Sequence, residues 1–364
     1  MKIDTIIQSE AELTHSAEPP TPVVLSSRIR LARNLVGYPF PAWASDSQRE
    51  ELFEQIQEVL QKLPQMQNAC CFRMEELCDL EKQVLVERHL MSRELSSAEH
   101  GAGIVISQDQ SLAVMVNEED HIRIQAVRSG FNLEEIWTNV DSMDSAIENR
   151  IQYAFSSEFG YLTACPTNVG TGIRASVMMH MPGLVLIENM EQVIRALNQI
   201  GLTVRGVLGE GSEASGSVFQ ISNQQTLGES EMEIIQRMKN VIKTIIEQEN
   251  NARMRLLEKN ARKILDKIGR SYGALQNAHI LSSSEAMNLL SLMRMAIDFE
   301  MLPENYRTHV DRLFIESQPG HVQYNTHDEV ASDKRDALRA DYLRKNFADM
   351  PPLNFDKCHK GYNL

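Results

Sequence analysis

Apolar positions along the chain recur in two periods, and the switches between them outline its organisation. Residues 47–63 carry apolar side chains at Leu52, Phe53, Ile56, Val59, Leu60 and Leu63, with Ser47 and Glu50 at capping-box spacing and Pro64 as a stop. That spacing predicts a helix. Residues 103–127 change to strand-like alternation: 104–106, a polar turn at 108–110, 112–116, then Ile122, Ile124 and Ala126 interleaved with His121, Arg123 and Gln125. An antiparallel meander is predicted, with its apolar side inward and Arg123 on the other face. Residues 84–88 read as a short strand, 144–155 as a helix with Ile147, Ile151, Ala154 and Phe155 inward, and 189–200 as a helix closed by Gly201. A strand then begins LTVRG, followed by GEGSEASGS, which reads either as a closing flap or as a long hairpin connection.

The rear of the chain is helical in pattern. Thr226 and Glu229 are spaced to cap a helix whose apolar repeat runs from Met232 to Ile268, with a polar interruption at 248–251. Its length predicts either a break there or a crossing between domains, and Gly269 and Gly273 are expected to mark its end. Residues 284–301 repeat the pattern with Met287, Leu290, Met293 and Ile297 inward, before Pro303. In KRDALRADYLRK, residues 334–345, Arg335 and Arg339 stand one helical turn apart, so either a solvated face or a small anion pocket is expected.

Fifty acidic residues against 36 basic ones give a formal charge of −14, which argues against nucleic acid as a direct ligand. The five cysteines lack regular metal spacing, and the expected environment is reducing and cytoplasmic. The first residues carry acids rather than an apolar signal core, and no apolar run reaches membrane length, so neither export nor insertion is expected.

Against that background the arginines acquire meaning. Arg28 and Arg30 lie two apart in VVLSSRIRLARN; on a strand they share one face, with attachments about 6.6 Å apart. Arg123 follows the acidic corner of Asn117, Glu118, Glu119, Asp120 and His121. Arg174 closes CPTNVGTGIR, a glycine-rich corner behind Cys165, and Arg205 precedes Glu210 in RGVLGE. Arginines beside glycine-rich backbone suit a triphosphate, because phosphoryl transfer is chiefly charge neutralisation and in-line positioning. No Walker loop and no protein-kinase HRD or DFG set is present. Carboxylates such as Glu119 and Glu210 can clamp a planar guanidinium in bidentate fashion, and a Cys165 thiolate would add negative charge beside it.

SSRIR at 26–30, NEEDHIR at 117–123, CPTNVGTGIRAS at 165–176 and RGVLGE at 205–210 resemble, in order, the active-site blocks of the guanidino (phosphagen) kinases, and among them the bacterial protein-arginine kinases. The resemblance implies an α+β catalytic domain, an antiparallel sheet flanked by helices, over 1–255, and a C-terminal helical regulatory and oligomerisation domain over 256–364. It implies that Arg28, Arg30, Arg123, Arg174 and Arg205 bind ATP with Mg2+ held mainly through the nucleotide. Glu119 and Glu210 would grip the acceptor, with Cys165 against it, and no separate metal site is expected. Arg335, Asp336, Arg339 and Ala340 match the subfamily's RDxxRA pattern, a regulatory phosphoarginine-binding pocket. Small-metabolite members have a histidine directly after RASV; here that position is Met178, with His180 two residues on, which leaves the histidine without an assigned role. They also carry a helical domain before the SSRIR block that encloses the free guanidine. Its replacement here by rear helices points to an arginine presented by a protein. The implied setting is quality control: marking proteins for a Clp-type protease, stress-repressor proteins among the substrates, with homo-oligomerisation and an activator protein. The competing expectations are a kinase of free arginine or another small guanidine, and a phosphoarginine-binding adaptor. His89 and His100 read as incidental polar residues.

Overall fold

The computed structural model describes residues 3–9, 12, 21–206, 214–326 and 330–356. They divide into two compact units, one of Met1–His15, Ser26–Val177 and Ser222–Asn240, the other of Ser16–Leu25, Met178–Ile221 and Val241–Leu364.

The first unit is a twisted sheet with helices against it. Its strands are β1 (Val24–Arg33), β2 (Cys70–Arg73), β3 (Gly103–Ile106), β4 (Leu112–Val116), β5 (Ile122–Ser129), β8 (Ile173–His180) and the end of β10 (Val218–Asn223), with a separate ribbon of β6 (Phe155–Ser156) and β7 (Gly160–Tyr161). The order is β2-β3-β4-β5-β1-β8-β10, and the pairs β2–β3, β3–β4, β4–β5 and β5–β1 are antiparallel. β4 is buried along its whole length, as a strand covered on both faces should be. Helices α1 (Asp4–Gln8), α2 (Asp46–Gln61), α3 (Asp79–Glu87), α4 (Arg93–Ser96) and α5 (Leu133–Glu148) belong to this unit. α2 buries Leu52, Phe53 and Ile56, and a Cβ at Gly103 would lie 2.3 Å from the Phe53 ring, so only glycine lets the helix approach β3 this closely.

The second unit is mainly helical. It contains α6 (Pro182–Leu186), α7 (Met190–Gln199), most of α8 (Glu231–Asn277), α9 (Ser283–Asp298), α10 (Arg307–Glu316), α11 (Pro319–Tyr324) and α12 (Ser332–Phe347), with β9 (Leu202–Gly206) beside β10. Its apolar core gathers Ile264, Ile268, Met287, Leu290, Met293, Ile297, Leu313, Leu343 and Phe347. The methionines of α9 thus fill core volume, as their spacing predicts. Among the described residues no helix is long and apolar enough to cross a membrane.

Several expected elements shift. Residues 84–88 are the end of helix α3, not a strand: Cys78 N donates to Glu81 Oε2 at 2.9 Å, and Val84 and Leu85 are buried on one helical side. The helix expected at 144–155 is α5, which ends at Glu148; Ile151 is buried beyond it, whereas Phe155 is exposed. The caps also move, to Ser45 with Gln48 and to Ser230 with Glu233. The polar patch at 248–251 does not break α8, because Glu249 and Arg253 pair inside the fold; the backbone departs from helical angles at Asn260 instead. The helix runs through Gly269 and Gly273, since Ile268 and Leu275 still bury against the core. Gly201 does close α7, at φ 74°.

Candidate active site

The sheet register collects the arginines. Across the β1–β5 pair, Arg28 faces Val127, Arg30 faces Gln125 and Ala32 faces Arg123, so Arg28, Arg30 and Arg123 share one face. Arg174 enters from β8, the next strand, and its Nη2 donates to Ser222 Oγ at 3.2 Å. Burial, with the neighbouring Arg174 and Arg123 guanidinium groups, pushes Arg28 down to about 10. Burial, then Arg28, Arg123 and Arg174, hold Arg30 well below the ordinary arginine value, against an opposing pull from Glu118, and Arg30 Nε is buried with no hydrogen-bond partner among the described residues. Arg123 pairs with buried Glu118 and reaches Glu119 Oε2 at 3.5 Å. Burial outweighs Arg123 and raises the Glu118 carboxyl.

His89, expected to be incidental, belongs to this neighbourhood. Burial, then Arg28 and Arg93, hold its imidazole down to about 3, so the ring is neutral. Gln125 Nε2 donates to His89 O at 2.8 Å, and the residue is left-handed at φ 57°. No sequence spacing links His89 to the arginines; the link is made by the fold.

The glycine-rich corner is locked to β1. Arg33 Nη1 donates to Thr171 O at 2.9 Å, its Nη2 pairs with buried Asp144 at 2.6 Å, and its guanidinium carbon lies 3.5 Å from the Tyr161 ring centroid. Gly172 is left-handed at φ 67°, and a Cβ there would meet Arg33 Nη1 at 2.6 Å and Ala32 O at 2.7 Å. Thr226 Oγ1 sits against the carbonyls of Thr167 and Val169, at 2.9 and 2.7 Å.

Cys165 and Glu119 are tied by a second device. Asn34 Nδ2 donates to Asp120 Oδ1 at 2.6 Å and to Leu162 O at 3.0 Å, while its Oδ1 accepts from His121 N at 2.9 Å. Ala164 N donates to the same Asp120 oxygen at 2.7 Å. The residues immediately beside Glu119 and Cys165 therefore share one buried carboxylate. Burial keeps His121 below its ordinary value; its neutral ring accepts from Leu35 N and donates from Nε2 to Pro39 O. Cys165 Sγ lies 3.0 Å from Thr167 Oγ1.

The remaining expected residues belong to the second unit. Arg205 is exposed on β9 of the second unit, and Glu210 lies outside the described residues, as does most of the glycine- and serine-rich segment. His180 is fully buried, 2.8 Å from Ser291 Oγ, held far below its ordinary value by burial and by Arg294, Arg253 and Arg307; its role is packing. Arg339 is fully buried, donating to Ser317 O, Leu281 O and Asp336 Oδ1, with Ala340 buried beside it. Arg335, half-buried on the preceding turn, has an Nε with no hydrogen-bond partner among the described residues.

The first unit thus offers converging guanidinium forks that repel one another, a neutral imidazole and an adjoining carboxylate. A polyanion relieves that repulsion, and the donor set fits a nucleoside triphosphate. Among the described residues no three metal-ligating side chains converge.

The chain matches the family model described as the ATP:guanido phosphotransferase C-terminal catalytic domain over residues 51–252, and that of the protein-arginine kinase McsB C-terminal domain over 261–358. It is 44% identical over 332 residues to the protein-arginine kinase of Brevibacillus brevis, covering 90% of this chain and 92% of that one. The protein-arginine kinase of Halalkalibacterium halodurans gives the same identity and coverage. Among solved structures, it is similar to lombricine kinase, with a TM-score of 0.56 and 25% identity over 68% of this chain and 70% of that one. The duplicated taurocyamine kinase from Schistosoma mansoni gives a TM-score of 0.55 and 27% identity over 64% of this chain and 33% of that one.

Proposed function

Since the chain belongs to the ATP:guanido phosphotransferase family and, within it, to the bacterial protein-arginine kinases, we propose that it transfers the γ-phosphoryl group of ATP to arginine side chains of proteins. The observation that carries this reading is the like-charged arginine face, on which Arg28 and Arg30 are held below their ordinary values by burial and by neighbouring guanidinium groups. Bound Mg-ATP supplies the electrophilic phosphorus. Arg28, Arg30, Arg123 and Arg174 neutralise phosphate charge and hold the transferring group in line, with Arg205 as a fifth contact. His89 offers a neutral ring at the edge of this face. Magnesium would be held mainly through the nucleotide.

At the acceptor end, Glu119 and Glu210 accept hydrogen bonds from the substrate guanidinium, fix its plane and take the proton lost as nitrogen bonds to phosphorus. Cys165 adds negative character against the same group. Asp120 positions both sides, holding Asn34 and Ala164 with one oxygen. In the rear unit, Arg335 is the outward member of a phosphoarginine pocket whose floor is Asp336, Arg339 and Ala340. The partners of this reading are arginine-bearing proteins, stress repressors among them, a Clp-type protease, an activator and further copies of the chain.

Acid-sparing mass spectrometry after incubation with Mg-ATP tests it, with an unfolded arginine-rich protein in one sample and free arginine in the other. Phosphate is expected on protein arginine, falling about 100-fold or more in Glu119→Gln. Phosphate on free arginine and none on protein would replace the reading with a small-guanidine kinase.

A further inference from the structure

Five large apolar side chains lie in the open around the Asn34–Asp120–His121 hub. Trp43 is 83% exposed, Phe155 59%, Val36 52%, Phe159 46% and Leu162 36%. Isolated exposed apolar residues are ordinary, but these sit on segments bound to one another. Val36 N donates to Gln152 O, Ala154 N to Asn34 O and Leu162 N to Ala154 O, while the Phe155 and Tyr161 rings meet edge to face at 5.2 Å. Trp43 closes the turn whose Tyr38 and Phe40 rings flank His121, at 6.2 and 6.5 Å.

We propose that this surface docks an unfolded polypeptide, taking the aliphatic and aromatic residues on either side of the acceptor arginine. The proposal rests on the reading of Glu119 and Cys165 as the acceptor end and adds what that end selects. Continuity is its first support. Leu162 is three peptide units from Cys165, at most about 11 Å, and Asn34 bonds both Leu162 O and the Asp120 carboxylate next to Glu119. An extended substrate advances about 3.3 Å per residue, so a residue about three positions from a bound arginine reaches the Leu162 end of this patch. Charge is the second support. Glu119 and, between the two phenylalanines, Glu158 are exposed carboxylates that suit a cationic residue set among apolar ones. Apolar residues are buried in a folded protein, so such a surface favours arginines in chains that have lost their fold.

Two fluorescent peptides of equal length and charge decide it, one with arginine flanked by Leu and Phe, the other by Gly and Ser. Anisotropy without nucleotide gives Kd, and phosphate transfer gives KM. The doubly substituted Trp43→Ser, Phe155→Ser chain is expected to raise Kd and KM for the apolar peptide about five-fold or more. Its values for the Gly/Ser peptide, its KM for ATP and its Tm should not move. Equal affinities in the unaltered chain, or a preference that survives both substitutions, overturns the proposal. A change in molar mass by light scattering with peptide Kd unchanged also overturns it, assigning the patch to a second copy of the chain. Peptide preference without phosphate transfer upholds the docking surface and refutes the kinase reading.

Discussion

Each unit gathers a group of arginines, half-buried in the first and buried in the second, and the two groups are handled in opposite ways. In the second unit Arg253 is bonded to Glu249, Asp298 and His180 O, and Arg307 to Asp298 and Glu304. Arg294 pairs with Asp311 at 2.7 Å. Carboxylates outweigh burial there, so Arg253 and Arg307 lie above their ordinary values. Glu249 does further work, accepting from Gly183 N and Leu184 N at the start of α6. In the first unit burial and like charge win, and Arg28 and Arg30 lie below. The same side chain is scaffold where carboxylates outweigh its burial and recognition surface where burial and like charge outweigh them.

Crossed substitutions give the largest effects. Arg253→Met leaves buried Glu249 with two backbone donors and no cation, and Asp298 with Arg307 alone, and should cost about 3–5 kcal/mol of stability. Arg30→Met removes a repelling charge, so its Tm should hold or rise while kcat/KM falls about 1,000-fold or more. Denaturant melts and initial rates on both variants check this; equal destabilisation would erase the contrast. Tripolyphosphate at 100 times its Kd should stabilise the unaltered chain and Arg253→Met by about 2.7 kcal/mol over their own baselines, and Arg30→Met hardly at all. Calorimetric Tm shifts read this directly.

The smallest effect is a pH slope. His89 and His180 are folded in the neutral form, with His89 down to about 3, so the stability they contribute is complete above the unfolded value near 6.5. It is lost as pH falls from there toward the folded values, by up to about 1.4 kcal/mol per pH unit for each ring. Equilibrium melts between pH 6 and 4 should flatten by one such slope in His89→Gln. Bound tripolyphosphate, lying near Arg28, should raise the folded value of His89 and flatten the slope in the same way, leaving the shares of His121, His180 and His309.

The meander, the α9 core and the common face of Arg28 and Arg30 were legible, because a two-residue period fixes the face; that Arg123 joins them follows from the β1–β5 pairing, which no local pattern announces. What escaped was decided by contacts between distant segments. Residues 84–88 have strand-like composition, yet the reciprocal cap at Cys78 and Glu81 starts a helix before them. Asp144 looks like a helix start and is instead an interior helical residue that pairs with Arg33. Thr226 has the spacing of a cap and spends its hydroxyl on the carbonyls of Thr167 and Val169. His89 and Asn34 carry no local signature, because the partners that define them come from distant segments of the chain.

The contact of Arg33 with Gly172 also bears on how such a chain can change over generations. Shortening Arg33 alone strands the Asp144 carboxylate in the interior, and enlarging Gly172 alone drives a methyl into a guanidinium nitrogen and the Ala32 carbonyl. Neither step is tolerated first, so residues drawn from two separate blocks behave as a single inherited character: descendants keep both, or rebuild the corner in one move.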